Sequence, residues 1–197
     1  MNPSRRRALL LSALATPAFK LGAADNDAVI ARALREAGTV AVFRHALAPG
    51  TFDPPGMRLD DCSTQRNLSE EGRAQARRIG AWFARAQLQP TAVRASPWCR
   101  CLETARLAFG HTETWAALGS PAGSNDAARA EQLTALRSAL TAARANAGRS
   151  GRGFEVWVTH MFVIDALASA ATGSGDGLVL RADASGAVEV LSRITIP

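Results

Sequence analysis

Short β-branched, apolar runs recur along the chain, separated by stretches whose apolar positions fall at helical spacing. "TVAVF" (39–43), "TAVRAS" (91–96) and "FEVWVT" (154–159) read as strands. The first is apolar on both alternating faces, as a parallel strand covered by helices on each side should be. "GLVLRAD" and "AVEVLSRITI", joined around Ser185-Gly186, read as a C-terminal hairpin. Between strands the period lengthens. Ser69 caps "SEEGRAQARRIGAWFARA", with acids in the first turn and Gly72, Ala76, Ile79 and Phe83 along one face. Ser96-Pro97 reads as the cap and first position of a second helix. A third covers roughly Asp126 to Asn146, and a fourth follows His160 through "MFVIDALASAA". "GSPAGSN" and "AGRSGRG" are loops. This alternation predicts an α/β fold: a three-layer α/β/α sandwich with a mostly parallel central sheet and an antiparallel C-terminal edge hairpin.

At 197 residues and 47% hydrophobic, the chain has material for one domain with a substantial core. Its formal net charge of +6 raises the question of a nucleic-acid partner, so the position of the charge matters. Four of the 23 basic residues, Arg5, Arg6, Arg7 and Lys20, fall in the first 24 positions, where there is no acid. The arginines precede an apolar stretch from Ala8 to Phe19 and a small-residue exit at Gly22-Ala23-Ala24, the layout of a cleaved export signal. "RRALLL" also has the look of a twin-arginine leader. Without those four, 19 basic residues face 17 acidic ones, a balance of +2, and no nucleic-acid partner is implied. The expected division is therefore residues 1–24 as export signal and 25–197 as one domain, periplasmic or secreted. The apolar run is too short to span a bilayer, so no stable membrane insertion is expected. Export would place Cys62, Cys99 and Cys101 in an oxidising compartment. A bridge from Cys62 to Cys99 or to Cys101 would tie the loop after the first strand to the second helix, leaving one thiol over.

The candidate chemistry sits where strands end. The first strand runs into Arg44-His45, the second into Ser96-Pro97 with Arg100 just beyond, and the third into Thr159-His160. In open α/β sheets ligands bind beyond the carboxyl ends of the strands. Three parallel neighbouring exits would converge there. Guanidinium groups such as Arg44 and Arg100 match the spread charge of a phosphoryl group, and the start of a helix supplies free N–H groups. A neutral imidazole whose other nitrogen is held serves as a nucleophile, the role open to His45, while His160 would donate to the transferring oxygens. A metal held by His45 and His160 would lack an acidic third ligand at a motif position, and the cysteine spacing fits no zinc pattern. No metal or other cofactor is expected.

"FRHALAPG", "NLSEEGRAQARRIG", "RASPWCRCLETARLAFG" and "VWVTHMFVIDAL" together, in this order, resemble the motifs of the histidine phosphatase superfamily, the phosphoglycerate-mutase-like fold. The resemblance covers most of residues 39–171. It implies a metal-independent phosphatase acting on phosphate monoesters through a phosphohistidine. His45 would be the phosphorylated nucleophile, Arg44 and Arg100 the phosphate clamps, and His160 the second histidine. Three departures stand out: Ala46 in place of the usual glycine, a long loop over 46–67, and Met161 after the second histidine. The general acid is open among Asp126, Glu113 and the loop acids Asp53, Asp60 and Asp61. The substrate would be a small phosphate ester or a phosphorylated envelope component. A catalytically weak phosphate-binding module and a phosphotransferase of the same fold are the alternatives. The oligomeric state is not readable.

Overall fold

Thr39–Arg44 forms β1, and its two alternating faces are both buried, with Val40 and Val42 on one and Ala41 and Phe43 on the other. A computed structural model describes residues 23–121, 123–150 and 153–196. The stretch read as an export signal lies outside the described residues up to position 22, and Ala23 and Ala24 open the first helix, α1 (Ala23–Arg35). The hydrophobic pattern does not single out α1, because its buried positions (Ile30, Ala31, Ala33 and Leu34) are half alanine and sit among polar neighbours.

The remaining elements are α2 (Glu70–Arg85), β2 (Ala92–Ala95), α3 (Cys99–Phe109), β3 (Glu113–Thr114), α4 (Asp126–Ser150), β4 (Phe154–Thr159), α5 (Met161–Ala168), β5 (Gly177–Ala182) and β6 (Val188–Ile194). The sheet order is β3-β2-β4-β1-β5-β6. The pairs β3–β2, β2–β4 and β4–β1 are parallel, whereas β5 runs antiparallel to β1 and β6 antiparallel to β5. The mixed α/β architecture with a mostly parallel sheet and a C-terminal edge hairpin is thus present. β3, a two-residue edge strand, is too short to leave a period in the sequence.

Helices cover both faces. One core joins Ile30, Leu34, Ile79, Phe83 and Ala105 of α1, α2 and α3 to Ala41, Phe43, Val93, Val156 and Val158 of the sheet. The other joins Leu136, Leu140, Val163, Ile164 and Leu167 of α4 and α5 to Val40, Val42, Trp157, Leu178 and Leu180. Each fully buried large apolar side chain contributes roughly 1.5–3 kcal/mol, so the two layers clamp β1 and β4 from both sides and hold their ends rigid.

Two helix starts bear on the site. Ser69 caps α2, accepting from Gly72 N–H at 3.1 Å. Gly72 lies so close to the loop after β1 that a Cβ there would fall 2.0 Å from the Leu47 carbonyl oxygen. By contrast, α3 begins at Cys99 rather than at Ser96-Pro97, and its N-cap, Trp98, makes no side-chain cap. Ser96 is not the cap: the helix starts three residues on, and the Ser96 hydroxyl is bonded to His160 and to the Trp98 N–H. Among the described residues, no helix is long and apolar enough to cross a membrane.

Candidate active site

Because β2, β4 and β1 are adjacent and parallel, their carboxyl ends meet. Arg44 lies opposite Thr159. His45 N–H donates to the Thr159 carbonyl and Ser96 N–H to the Val158 carbonyl, both at 2.9 Å. These bonds lock the three exits side by side. A cleft of roughly 470 Å³ opens beyond them, with Arg44, His45, Arg100 and His160 all in its wall. The four predicted side chains are therefore brought to one place.

His45 is buried, and its Nδ1 lies 2.8 Å from the Ala46 carbonyl oxygen. A carbonyl only accepts, so Nδ1 carries the proton and Nε2 keeps its lone pair. Burial, outweighing the bond to Ala46 and reinforced by the charges of Arg100, Arg66 and Arg44, pushes the imidazole pKa down to about 3. The ring is neutral at physiological pH. Ala46 is itself fixed: its N–H donates to Thr104 Oγ1 at 3.0 Å, and that hydroxyl donates to the Arg100 carbonyl at 2.7 Å. Ala46 is fully buried, so a small residue is required there.

Three guanidinium groups surround the cleft. Arg44 donates to the Thr172 carbonyl at 3.0 Å, and Arg66 to the Ala48 carbonyl. Arg100, almost fully buried, donates to Asp53 at 2.7 Å. The Nε atoms of Arg44, Arg66 and Arg100 are buried without a hydrogen-bond partner among the described residues. Orphaned buried donors are rare and unfavourable, and three arginines in the wall of one cleft suit a ligand with several acceptor oxygens. Burial lowers the pKa of Arg44 and of Arg66, and the charge of Arg100 lowers each further.

His160 is buried at the start of α5, with its ring 5.6 Å from that of His45 and 5.2 Å from that of Trp98. Its Nδ1 lies 3.4 Å from Arg100 Nη2, which only donates, so Nε2 carries the proton and donates to Ser96 Oγ at 2.8 Å. Burial first, then Arg100 and His45, hold His160 well below the ordinary histidine range. Donation to a phosphoryl oxygen thus requires Nδ1 to exchange Arg100 for the ligand and gain a proton.

The α3 start differs from expectation. Cys99 N–H is taken by Gln65 Oε1 at 2.9 Å and Trp98 N–H by Ser96 Oγ at 3.3 Å, so these two amides are not open to an anion. The long loop folds over instead. Cys62 and Cys99 form a disulfide, and Cys101 is the buried free thiol, pushed up to about 12 by burial.

Of the candidate acids, only Asp53 reaches the cleft. It accepts from Arg100 Nη1 at 2.7 Å, Arg66 N–H at 3.0 Å and Trp98 Nε1 at 3.1 Å. Burial raises its pKa, but these bonds outweigh it and hold the carboxyl below the ordinary value. Asp126 is fully exposed at the first residue of α4, where Asn125 provides the cap. Glu113, on β3, faces Arg94 of β2, and Asp60 and Asp61 pair with Arg58 in the open. Sequence reasoning missed Arg66, the hydroxyl of Thr104 and the Ser96–His160 bond. Arg66 stands in an aperiodic loop, with no local signal to separate it from a solvated arginine. Among the described residues, no three His, Cys, Asp or Glu side chains gather as a metal site.

Residues 61–119 match the model of the histidine phosphatase superfamily (branch 1). No curated protein sequence matches the chain. Among solved structures, it is similar to the protein histidine phosphatase SixA complexed with tungstate, at 18% identity and TM-score 0.53, over 80% of this chain and 96% of that one. It is also similar to Rv3214 from Mycobacterium tuberculosis, at 17% identity and TM-score 0.56, over 80% of this chain and 96% of that one. The mycobacterial glucosyl-3-phosphoglycerate phosphatase Rv2419c gives 17% identity and TM-score 0.55, over 77% of this chain and 96% of that one. The chain thus matches the histidine phosphatase superfamily in the segment that carries Arg100, and it shares that superfamily's fold over most of its length.

Proposed function

We propose that the protein is a phosphatase that hydrolyses phosphate monoesters through a phosphohistidine on His45. One observation carries this reading: three arginines, each with a buried Nε that has no hydrogen-bond partner among the described residues, line one cleft with a neutral imidazole whose Nδ1–H is held by a carbonyl. Arg44, Arg66 and Arg100 would bind the phosphoryl oxygens and neutralise the charge that develops. His45 Nε2 attacks phosphorus, the P–O ester bond breaks, and the departing oxygen takes a proton from water. A water then attacks phosphorus, the N–P bond breaks, and His45 returns to its neutral form. His160 would exchange Arg100 for a phosphoryl oxygen as it gains a proton. The guanidinium groups supply the positive charge, so the reaction as read calls for no metal.

The names of SixA and Rv2419c as phosphatases support this reading. The leader-like N-terminus and the Cys62–Cys99 disulfide support action in an oxidising compartment outside the cytoplasm. The tie between Asp53 and Arg100 favours a second reading, a phosphate-binding module with weak turnover or a phosphotransferase, because no free carboxylic acid lines the cleft among the described residues.

The protein should hydrolyse a generic aryl phosphate in chelator-treated buffer and accumulate acid-labile, base-stable label from a phosphate donor. His45→Ala should abolish both. Phosphate binding without turnover or label would leave the binding module. A phosphorylated acceptor alcohol in place of free phosphate would mark a transferase.

A further inference from the structure

The floor of the cleft is cationic, but its mouth is apolar. Phe52, Pro54, Met57, Trp98, Met161 and Phe162 line it, drawn from the loop between β1 and α2, the start of α3 and the start of α5. Phe52 and Phe162 are 77% and 50% exposed, and they are the two exposed phenylalanines among the described residues. With Met161, they place three of the seven exposed large apolar side chains of the described chain at one opening. Scattered apolar residues need no explanation, whereas a cluster beside a built anion site marks a ligand surface. Polar side chains at the mouth are few: Thr51, Ser120 and Asp53, the last already holding three donors. Sugar or polyol hydroxyls entering here would lose water and gain few partners.

The chemistry of departure points the same way. The one carboxyl in the cleft wall among the described residues, Asp53, accepts from three donors and has no proton placed for a leaving oxygen. An alkoxide needs such a proton; a phenolate, being a far weaker base, leaves without it.

Building on the phosphatase reading, we propose that the substrate is the phosphate monoester of an aromatic alcohol. Its ring sits among Phe52, Trp98 and Phe162, while its phosphoryl group meets Arg44, Arg66 and Arg100. Flat rings favour offset or edge-on contact with such a collar over a flexible chain of similar carbon number. The new bond is His45 Nε2–P; the aryl P–O bond breaks with its electron pair on the phenolate oxygen, which solvent protonates.

The test uses non-hydrolysable probes, so that binding is read apart from leaving-group reactivity. Inhibition by (1-naphthyl)methylphosphonate should be at least tenfold tighter than by methylphosphonate and at least threefold tighter than by decylphosphonate. In the Phe52→Ser/Phe162→Ser double variant, the naphthyl-to-methyl ratio should fall below threefold. Both side chains are exposed, so the thermal transition should stay put and report intact folding. A ratio near one in the native protein, equal inhibition by the decyl probe, or a preference that survives the double variant would overturn the aromatic site. Tight naphthyl inhibition without turnover of naphthyl phosphate would overturn the phosphatase reading and leave the aromatic site standing. Failure to bind any phosphonate would overturn both.

Discussion

Asp53 places a negative charge on the very guanidinium that a phosphoryl group needs, and Asp53→Asn separates what that charge does for folding from what it does for binding. The carboxylate lies 2.7 Å from Arg100 Nη1. A phosphate sharing this guanidinium would sit about 5 Å from the carboxylate, where like charges repel by about 3 kcal/mol per unit charge at an effective dielectric near 20. The amide removes the repulsion but keeps an acceptor for Arg100, weakening that bond by about 1 kcal/mol. That bond is made with and without ligand, so its weakening cancels, and the relieved repulsion of about 3 kcal/mol corresponds to at least tenfold tighter binding of inorganic phosphate or tungstate, measured by calorimetry. Stability should move the other way. The side chains of Arg100 and Asp53 are 5% and 16% exposed, and removing the counter-ion of a buried charge destabilises the fold by about 3–5 kcal/mol. Urea unfolding reads that loss. Turnover should change less than binding, since the ionised carboxyl holds no proton for the leaving group. If phosphate binding in Asp53→Asn is unchanged or weaker, the charge does not oppose the ligand. A collapse of kcat with unaltered phosphate affinity would instead make Asp53 the general acid.

Other consequences are checked as directly. The Cys62–Cys99 bridge spans a sequence separation of 37, so Cys62→Ser should destabilise the fold by about 4 kcal/mol in urea and raise KM more than it lowers kcat, because the loop carries Asp53 and Phe52. Thr104→Val strands the buried Ala46 N–H, at about 1–3 kcal/mol, and should lower kcat more than it raises KM, since Ala46 orients the His45 ring. His45 has its pKa pushed below the ordinary value of 6.5 to about 3, so the unfolded chain takes up the proton first. The stability that the neutral ring contributes is therefore complete above pH 6.5 and falls toward pH 3, by about 1.4 kcal/mol for each pH unit. Unfolding midpoints at pH 7 and 4.5 should diverge less in His45→Gln than in the native protein, and an equal divergence would contradict a buried neutral His45.

Much of the site was legible because it lies at strand exits. Arg44-His45 and His160 each stand against a run that reads as buried, and β-branched alternation locates such runs from local physics alone. Ser69, Gly72, Ala76, Ile79 and Phe83 likewise declared α2 through a cap and a 3.6-residue period. Other features left no such trace. Half of the residues α1 buries are alanines, β3 is two residues long, and the helical start inferred at Ser96-Pro97 lies at Cys99, with Ser96 Oγ bonded to His160 and to the Trp98 N–H.

The sequence by itself determined the α/β alternation and the residues standing at the strand ends, since both follow from short-range periodicity and the chemistry of neighbouring side chains. Tertiary structure alone decided which loop residues join them. Arg66 becomes a third cation, Asp53 alone of the five candidate acids reaches the cleft, and Cys62 finds Cys99 rather than Cys101. Those outcomes depend on how the 46–67 loop closes over α3, a matter of long-range hydrogen bonds and charge pairing that leaves no period along the chain.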